Sequence, residues 1–284
     1  MLRILIIIPA YNEEQLIGKT LDSLVQQSFK PSQLIVVNDS STDKTPQIVQ
    51  SFADDYPFIQ LVNKKSANKS RPGAKVIEAF NEGLAYAGKD YDIICKFDAD
   101  LIFPPDYLEK LNASFTRDEQ LGMFGGICTI QQGDAWEIES LTNLDHIRGA
   151  LKAYRKSCFQ QIGGLKKAMG WDTLDELLAR YNQWNVEVNP ELKVQHLKAT
   201  ATTYSKKLPE QFGRSVYRMR YRGLIGFLAI AKLARKKRSG SFLVMGCLGF
   251  LKAVFSNEQK LVTKEEGKFI RSYRIQSIKQ RFLS

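Results

Sequence analysis

Apolar runs alternate with amphipathic segments along the first third of the chain. The apolar runs are residues 4–8, 34–37, 59–62 and 93–97. In the segments between them, apolar residues recur with the period of a helix. These segments are residues 12–28, 45–55 and 73–87. Strands that alternate with helices in this way form a parallel sheet with both faces covered. The pattern therefore predicts an α/β fold with a mostly parallel sheet and helices on both faces.

Two spacings are typical of helix starts. Asn12 and Gln15 are spaced like a capping box, in which two side chains bond the free amides of the first turn. Thr173 and Glu176 have the same spacing further along the chain. The second pattern assigns Glu176 to helix initiation rather than to chemistry.

Polar residues gather at the predicted carboxyl ends of the strands, where ligands bind in sheets of this class. They are Tyr11 and Glu13 after the first strand, Asn38, Asp39 and Asp43 after the second, Arg71 and Lys75 after the third, and Asp98 and Asp100 after the fourth. A basic loop thus faces an acidic one across a crevice. As the plainer alternative, Asp39 fits ordinary turn chemistry, and the lysines of the basic loop fit a solvated surface.

Asp98 and Asp100 are harder to explain as surface residues, because only Ala99 separates them at the end of one strand. Two such carboxylates repel each other unless a cation or hydrogen-bond donors relieve them. A divalent metal bound by carboxylates and by the phosphates of a substrate meets that requirement, and it also explains the basic loop opposite. The pair therefore predicts a metal-diphosphate site.

The composition indicates a globular protein. Its 284 residues, 44% of them hydrophobic, suffice for one large α/β domain with an appendage. Four widely spaced cysteines without a CxxC pair predict reduced, buried thiols. The apolar N-terminal run is short, lacks a cleavage site and leads into Pro9, so we interpret it as a first strand rather than a signal peptide. We therefore expect a cytoplasmic protein.

The net charge of +11 is concentrated in one segment. Residues 205–240 contain eleven bases and one acid, whereas the other 30 bases and 29 acids nearly balance. A local anionic partner is therefore indicated, and we expect no nucleic acid.

This segment begins a C-terminal region, residues 205–284, that has a basic, amphipathic helical character. Arg214, Arg218 and Arg222 are four residues apart and would form one basic stripe on a continuous helix. The apolar stretches that follow are shorter than the roughly 20 residues that span a membrane. Interfacial helices on an anionic membrane surface are therefore predicted. The alternative is a helical cap packed on the rest of the protein.

Four motifs, in order, resemble those of the family-2 glycosyltransferases, which are inverting enzymes of the GT-A fold that use nucleotide sugars. The motifs are IIIPAYNEE, VVNDSSTDKT, FDAD and GALKAYRKSCFQQIGG. A lone DxD motif would be a weak signal, whereas four ordered motifs are specific. The resemblance implies a GT-A (Rossmann-like) catalytic domain in residues 1–204. Within it, residues 1–104 would bind the nucleotide sugar and residues 105–204 the acceptor.

The resemblance also implies roles for single residues. The implied donor-binding residues are Pro9, Ala10, Tyr11, Glu13, Asp39, Arg71, Asp98 and Asp100. Among these, Asp100 matches the direct ligand of a divalent metal, Mn²⁺ or Mg²⁺, and Asp98 the partner of the ribose. His196 matches a histidine that completes the metal shell in some relatives, and a neutral imidazole is a competent ligand. The alternative for His196 is a solvated or hydrogen-bonded histidine.

An inverting transfer needs a carboxylate that accepts the proton of the acceptor hydroxyl. Asp172, Asp175 and Glu176 are spaced so that one helix would present all three on one face. The register of the following Gln-Trp pair against the Gly-Tyr of the family favours Asp172 as the base, with Asp175 as the alternative. We expect His146 in the acceptor loop, and Trp171 as an acceptor-sugar platform or as part of the core.

Together these features predict a metal-dependent, inverting hexosyltransferase, peripheral on the inner face of the membrane, that acts on a glycan or lipid-linked acceptor of the cell envelope. Family frequency favours UDP as the nucleotide. A sugar-phosphate nucleotidyltransferase is the alternative enzyme, but it would carry a glycine-rich, lysine-bearing loop after the first strand, and PAYNEEQ has neither. A non-enzymatic anion-binding protein that uses the basic segment is the other alternative.

Overall fold

The computed structural model of the chain describes residues 1–64, 74–139, 146–198 and 207–283. The strands are β1 (Ile4–Ala10), β2 (Gln33–Asn38), β3 (Ile59–Asn63), β4 (Ile93–Phe97), β5 (Leu101–Ile102), β6 (Leu121–Gln132), β7 (Ala135–Ile138), β8 (Leu151–Arg155) and β9 (Asn185–His196). The helices are α1 (Ile17–Val25), α2 (Thr45–Asp55), α3 (Ala74–Tyr86), α4 (Tyr107–Arg117), α5 (Lys156–Gln161), α6 (Trp171–Tyr181), α7 (Leu208–Arg218), α8 (Gly223–Lys236), α9 (Gly240–Phe255) and α10 (Lys264–Leu283). Helix α2 and strand β4 have the bounds that the sequence predicts.

The strands of the described residues form one sheet, in the order β3-β2-β1-β4-β8-β6-β9-β5, with β7 paired to β6. The first four strands of the chain pair with one another in parallel. Strand β8 then runs antiparallel to both β4 and β6, and β9 is parallel to β6 but antiparallel to β5. The predicted α/β fold is confirmed. Its parallel part is the first half of the chain, and the second half adds a mixed part.

Both faces of the sheet are covered, as predicted. Ile6 and Ile7 point to opposite faces of β1, because successive side chains of a strand alternate, and both are fully buried. On the Ile7 face, α3 packs closely: a Cβ atom on Gly83 would lie 2.8 Å from a methyl carbon of Ile7 and from one of Val37. Only a glycine permits this approach of helix to sheet.

Helix α1 begins later than the capping pattern predicts. Its first residue is Ile17, and Asn12 lies in the loop before it with a positive φ of 53°. The Asn12 side chain accepts a hydrogen bond from the backbone amide of Thr42 (2.8 Å). The capping prediction was wrong because Asn12 bonds to the loop after β2 instead of to its own helix.

Helix α6 also differs from the capping prediction. It begins at Trp171, directly after Gly170, whose φ of 74° is in the left-handed region that favours glycine. Glu176 does not cap the helix, because its carboxylate accepts a hydrogen bond from the amide of Ile147 (2.9 Å). Glu176 therefore belongs to a buried cluster rather than to the helix start.

Helices α7 and α9 cross at glycines. A Cβ atom on Gly213 would lie 1.9 Å from the carbonyl oxygen of Gly246. A Cβ atom on Gly249 would lie 2.1 Å from the carbonyl oxygen of Glu210. The two helices therefore touch backbone to backbone, which any side chain at these positions would prevent.

The predicted basic stripe of Arg214, Arg218 and Arg222 does not form. Helix α7 ends at Arg218, and Arg222 lies before the start of α8. Arg214 has an ion pair with Glu258, and Arg218 donates a hydrogen bond to the carbonyl of Gln259 (3.2 Å). The prediction was wrong because the helix breaks and two of the arginines bind the turn that follows α9.

The C-terminal helices pack on the α/β part of the chain. Val216 of α7 and Ile270 of α10 belong to the same apolar core as the sheet. The rings of Phe269 in α10 and Tyr181 in α6 stack edge to face, with centroids 5.6 Å apart. This packing favours the helical-cap alternative for α7 and α10. Among the described helices, none combines the length with the apolar character that crossing a membrane requires.

The four cysteines are free thiols. Cys95, Cys128 and Cys158 are buried, and Cys247 in α9 is half-buried. Burial raises the pKa of Cys128 and of Cys158 to about 12, so both stay protonated near neutral pH. The prediction of reduced, buried thiols is confirmed for three of the four.

The contact between α7 and α9 can be tested by Gly249→Ala. The new methyl group would push α7 away from α9, and such overpacking costs about 1–3 kcal/mol of unfolding free energy. Gly240→Ala is a matched control, because a Cβ atom at Gly240 meets no atom within 4 Å. Urea denaturation measures both. If Gly249→Ala were as stable as Gly240→Ala, the backbone contact would not exist in solution.

Candidate active site

The loops after β1 and β2 are bonded to each other. The amide of Glu13 donates to the hydroxyl of Thr45 (2.7 Å), and the amide of Asp39 donates to the carbonyl of Ala10 (2.9 Å). These bonds place Pro9, Ala10 and the exposed Tyr11 beside Asp39. The predicted donor-binding residues of the first two loops therefore lie together at the carboxyl edge of the sheet.

Asp39 is buried and paired. Its carboxylate lies 2.8 Å from the Nζ atom of Lys64, whose backbone amide donates to the carbonyl of Asn38 (2.9 Å). Lys64 is therefore part of the site rather than the solvated surface lysine of the plainer alternative. Arg71, the basic position predicted near the diphosphate, lies outside the described residues.

The turn that carries Asp98 and Asp100 is fixed by α1. The hydroxyl of Thr20 donates to the carbonyl of Ala99 (2.8 Å) and accepts a hydrogen bond from the amide of Leu101 (3.0 Å). Glu13 is close to both acids: burial raises its pKa despite an ion pair with Lys198, and the charges of Asp98 and Asp100 raise it further. The first-strand loop and the acidic turn therefore face the same crevice.

Each acid of this turn has a cationic partner within the protein. Asp98 is ion-paired with the buried Lys96, which also donates to the carbonyl of Gly149 (2.9 Å). Asp100 is buried, and its carboxylate lies 3.5 Å from the Nε2 atom of His196. The predicted repulsion is therefore relieved in part by the chain itself, and a metal is not the only cation available to these carboxylates.

His196 reaches Asp100 because β5 pairs with β9. In this antiparallel pair His196 is opposite Leu101, the residue after Asp100. Burial lowers the pKa of His196, but Asp100 and Glu139 outweigh this effect and raise the pKa to about 9. Ligand atoms on adjacent positions of one Mg²⁺ or Mn²⁺ are about 3 Å apart, since each lies about 2.1 Å from the ion. The carboxylate of Asp100 and the imidazole of His196 fit that arrangement.

Cys128, Glu139 and His196 form a second group of potential ligands, with one donor atom of each within 4.8 Å of the others. Two features oppose a second metal there. The guanidinium of Arg148 lies 2.9 Å from the Glu139 carboxylate, and burial keeps the thiol of Cys128 protonated. The group is better suited to supporting His196 than to binding an ion of its own.

The three acids of α6 lie on one face of the helix, as their spacing predicts. They lie around one buried lysine. Lys152 of β8 is fully buried; its ammonium lies 2.8 Å from the Asp175 carboxylate and 3.1 Å from that of Glu176. It also donates to the carbonyl of Asp172. Tyr154, on the same strand as Lys152, donates a hydrogen bond from its hydroxyl to the Asp175 carboxylate. This arrangement sets the position and rotation of α6 on the sheet.

The three acids differ in access. The side chain of Asp175 is 2% exposed and its pKa is raised by burial, whereas the side chain of Asp172 is 33% exposed. Burial also acts to raise the pKa of Asp172, but His146 and Lys152 outweigh it and lower the pKa to about 2. Asp172 is therefore ionised and reachable, and Asp175 is enclosed. This difference favours Asp172 over Asp175 as the proton acceptor, and the assignment stays a prediction.

His146 and Trp171 flank Asp172. The ring of His146 lies 3.0 Å from the Glu176 carboxylate and 3.7 Å from that of Asp172. The ring of Trp171 is buried, and the Nζ atom of Lys152 lies 5.9 Å from its centre. This burial favours the core alternative for Trp171. A role of either residue in acceptor binding stays a prediction.

The acidic turn and the segment that carries Asp172 meet at Gly149. Its carbonyl accepts the hydrogen bond from Lys96, the partner of Asp98. A Cβ atom on Gly149 would lie 3.2 Å from the Cβ atom of Asp172. One lysine and one glycine therefore separate the acidic turn from the candidate base.

Four residues of the site were not identified from the sequence: Lys96, Glu139, Arg148 and Lys152. A lysine inside an apolar strand was the available signal for two of them, because a buried charge requires a partner. Lys96 stands in IICKF and Lys152 in LKAYR. Glu139 and Arg148 carry no such signal, since their contacts depend on where the hairpin of β6 and β7 lies against β9.

The sequence profile described as "Glycosyl transferase family 2" matches residues 5–164. A "Probable glycosyltransferase YdaM" of Bacillus subtilis is 29% identical over 210 residues, which are 66% of this chain and 46% of YdaM. The poly-beta-1,6-N-acetyl-D-glucosamine synthase of Staphylococcus epidermidis is 27% identical over 188 residues, which are 59% of this chain and 41% of the synthase. The chain spans about half the length of these curated relatives and of others that it matches.

Solved structures share the fold. The mannosyltransferase PcManGT of Pyrobaculum calidifontis, in complex with GDP-Man and Mn²⁺, has a TM-score of 0.58 at 16% identity, over 98% of this chain and 81% of that one. Residues 1–349 of S. aureus TarS, in complex with UDP-GlcNAc, have a TM-score of 0.60 at 19% identity, over 80% of this chain and 66% of that one. At these identities the likeness concerns the fold alone, and it confirms the predicted GT-A fold.

The ion pairs of His146 predict a pH-dependent stability. Burial lowers its pKa, but Asp172 and Glu176 outweigh this and raise it to about 9, above the model-peptide value of about 6.5. The folded state thus binds the proton more tightly, so the stabilisation is fully present below about pH 6.5 and is lost as the pH rises through about 9. We expect the proton of His146 to account for a fall in the unfolding free energy of up to about 3 kcal/mol over this range.

The matched variant is His146→Gln, which cannot take up this proton. Urea denaturation at several pH values should show that the variant loses about half of the decrease seen for the unaltered protein, because the pKa of His196 is also raised to about 9 and its proton contributes a similar share. An equal decrease in both proteins would mean that His146 does not hold its proton between the two carboxylates.

Proposed function

Because the chain belongs to glycosyltransferase family 2, we propose that it transfers a sugar from a nucleoside-diphosphate donor to an acceptor hydroxyl with inversion at the anomeric carbon. One observation carries the proposal. Asp172 is an ionised, accessible carboxylate that Gly149 and Lys96 connect to the acidic turn. An inverting transfer needs these two groups on opposite sides of one sugar, the base at the acceptor and the cation site at the diphosphate.

In this mechanism the residues of the crevice have separate roles. Tyr11, Glu13 and Asp39 bind the nucleoside, and Asp98 the ribose. Asp172 accepts the proton as the acceptor oxygen bonds to the anomeric carbon and the bond to the diphosphate breaks. Lys152 and Glu176 hold α6 so that Asp172 faces the crevice, and Asp175 takes part only through its bond to Lys152.

Asp100 and His196 would hold a divalent cation, Mn²⁺ or Mg²⁺. When bound, such an ion stabilises the negative charge that develops on the departing diphosphate. The separation of 3.5 Å between the two donor groups supports this assignment. Mn²⁺ accompanies GDP-Man in the mannosyltransferase of P. calidifontis, and TarS is solved with UDP and with UDP-GlcNAc. We favour a UDP-sugar as the donor.

The two alternative functions account for less of this arrangement. A sugar-phosphate nucleotidyltransferase would have no use for an ionised base across the crevice from the acidic turn. A non-enzymatic anion-binding protein would not require the buried network that holds α6. Neither alternative explains why Asp172 alone of the three α6 acids is accessible.

We also propose that the acceptor is a glycan or lipid-linked sugar at the membrane surface of the cell envelope. The support is the surface of α8 and α9. Val244, Leu248, Leu251 and Phe255 form one exposed apolar stripe along α9, and Phe255 is 86% exposed. Four consecutive bases, residues 235–238, span the end of α8 and the turn before α9. An apolar stripe beside a basic cluster is typical of a helix that lies in the interface of an anionic bilayer.

The proposed base is tested by Asp172→Asn, which keeps the shape of the side chain but cannot accept a proton. We expect the release of nucleoside diphosphate to fall by about 100-fold or more. The assay uses UDP-GlcNAc, UDP-glucose and GDP-mannose with Mn²⁺ and a lipid extract as acceptor. Binding of UDP with Mn²⁺, followed by calorimetry, should not change.

Two further variants complete the test. Asp106→Asn, at a surface ion pair with Lys110, is the control and should leave turnover unchanged. Asp175→Asn removes one partner of a buried ion pair and should cost about 3–5 kcal/mol of stability. Normal turnover of Asp172→Asn, together with an inactive but stably folded Asp175→Asn, would assign the base to Asp175.

The proposed membrane contact predicts binding to phosphatidylglycerol vesicles and not to phosphatidylcholine vesicles. Each base near an anionic surface contributes about 1 kcal/mol, so replacing Lys236, Lys237 and Arg238 with Gln should weaken vesicle binding about 100-fold. High salt should release much of the protein, because it screens this attraction. Cosedimentation measures all three effects.

Leu248→Gln with Leu251→Gln should also weaken binding, whereas Tyr86→Gln, at an exposed aromatic residue on α3, should not. If the protein ignored anionic vesicles at low salt, the stripe would be a contact for another protein chain. Nucleotide binding would be unaffected by that result.

A further inference from the structure

Glu139 is a buried carboxylate behind the proposed cation site. It follows β7 directly, and its amide donates to the carbonyl of Cys128 (3.0 Å), which continues the pairing of β7 with β6. Its side chain is only 2% exposed. A buried carboxylate is costly unless its charge is compensated, so its neighbours indicate what it does.

The carboxylate of Glu139 lies between a guanidinium and an imidazole. Its Oε2 atom is 2.9 Å from Nη2 of Arg148 and 3.5 Å from Nδ1 of His196. The other ring nitrogen of His196, Nε2, is 3.5 Å from the carboxylate of Asp100. The two ring nitrogens therefore face two different carboxylates, one on the crevice side and one on the interior side.

This arrangement, with one carboxylate at each ring nitrogen, matches the surroundings of a histidine that binds a metal. A histidine that binds a metal through one ring nitrogen commonly donates its other N–H to a carboxylate, which fixes the tautomer and the ring orientation. If Nδ1 carries the proton and faces Glu139, the lone pair of Nε2 is available on the side of Asp100. We propose that Glu139 is a positioning residue that orients His196 as a ligand of the divalent cation shared with Asp100. This inference rests on the proposed cation site.

Arg148 connects Glu139 to the segment beside Asp172. Its positive charge compensates that of the buried Glu139, which would otherwise be costly to bury. Arg148 also directly precedes Gly149, whose Cα lies against the side chain of Asp172. The ion pair of Arg148 with Glu139 thus links the residue that supports His196 to the segment that borders Asp172.

The experiment measures the affinity of the full chain for Mn²⁺ alone, by the relaxation enhancement of water protons. We expect Glu139→Gln to weaken Mn²⁺ binding by about 10- to 100-fold, the usual effect of removing such a carboxylate. Glu139→Asp keeps the charge and should recover part of the affinity. The control is Glu187→Gln, at a surface ion pair with Arg117, which should bind Mn²⁺ like the unaltered protein.

Two more variants separate the possible failures. If His196→Ala and Asp100→Ala bind Mn²⁺ normally, the proposed cation site is wrong and the role of Glu139 fails with it. If these two lose affinity but Glu139→Gln does not, the cation site stands and the positioning role is wrong. Cys128→Ser should have no effect, and a loss of affinity there would make Cys128, Glu139 and His196 the ligand set instead.

A spectroscopic measurement needs no variant at Glu139. The chain has only two histidines, so ¹⁵N spectra of the imidazole nitrogens are assigned with His146→Gln alone. In saturating Mg²⁺, His196 should carry its proton on Nδ1 and none on Nε2. The opposite tautomer would overturn the proposal even if Glu139→Gln failed to fold.

Discussion

The site depends on two lysines buried side by side in the sheet. Lys96 of β4 and Lys152 of β8 are directly opposite each other in an antiparallel pair, and both are almost fully buried. Like charges in this position repel, and each loses the solvation of water. Their presence is tolerated only because acids surround them: Asp98 on one side, and Asp175 and Glu176 on the other. The ring of Trp171 lies within 6 Å of both ammonium groups.

This pair of lysines stands where the two halves of the sheet join. Strand β4 is the last parallel strand of the first half, and β8 is the first strand of the mixed part. Lys96 therefore holds the acidic turn, and Lys152 holds α6 with Asp172 at its first turn. The same charge balance that makes the strand pair stable fixes the distance between the acidic turn and the candidate base. Helix α6 cannot move without breaking the buried ion pairs of Lys152, which costs about 3–5 kcal/mol, whereas the acidic turn is held by the ion pair of the buried Lys96 with the half-buried Asp98.

The parts of this structure that were predictable from sequence are those set by local periodicity. Helix α2 and strand β4 have their predicted bounds, and the carboxyl-end rule brought Glu13, Asp39 and Asp98 to one edge. The errors arose where contacts between distant segments outweighed local patterns. Asn12 bonds to the loop after β2 instead of capping α1. The arginine spacing of the C-terminal region predicted one helix, but a spacing of four residues does not reveal where a helix breaks.

The like-charge argument for Asp98 and Asp100 was physically correct and yet incomplete. It required a cation or donors, but Lys96 was not predicted beside Asp98, and only the family resemblance placed His196 near Asp100. Lys96 is two residues before Asp98, so both side chains lie on the same face of a regular strand, and this spacing was an available signal for their ion pair. His196 is brought to Asp100 by the short pairing of β5 with β9, almost 100 residues away in the chain.

Asp98 and Asp100 consequently differ in the partner that an incoming nucleotide sugar would have to displace. Asp98 is tied to a buried lysine that also bonds to Gly149, so a ribose hydroxyl can add to this carboxylate but cannot easily replace its partner. Among the described residues, the cationic partner of Asp100 is an imidazole, whose Nε2 would be able to bind a metal ion in place of its proton while the other nitrogen stays beside Glu139. At the proposed cation site, Asp100 and His196 would hold the ion in place of a proton, and Lys96 would stay with Asp98. The chain's own cations thus separate a fixed acid, suited to holding the sugar nucleotide, from an exchangeable one, suited to the metal.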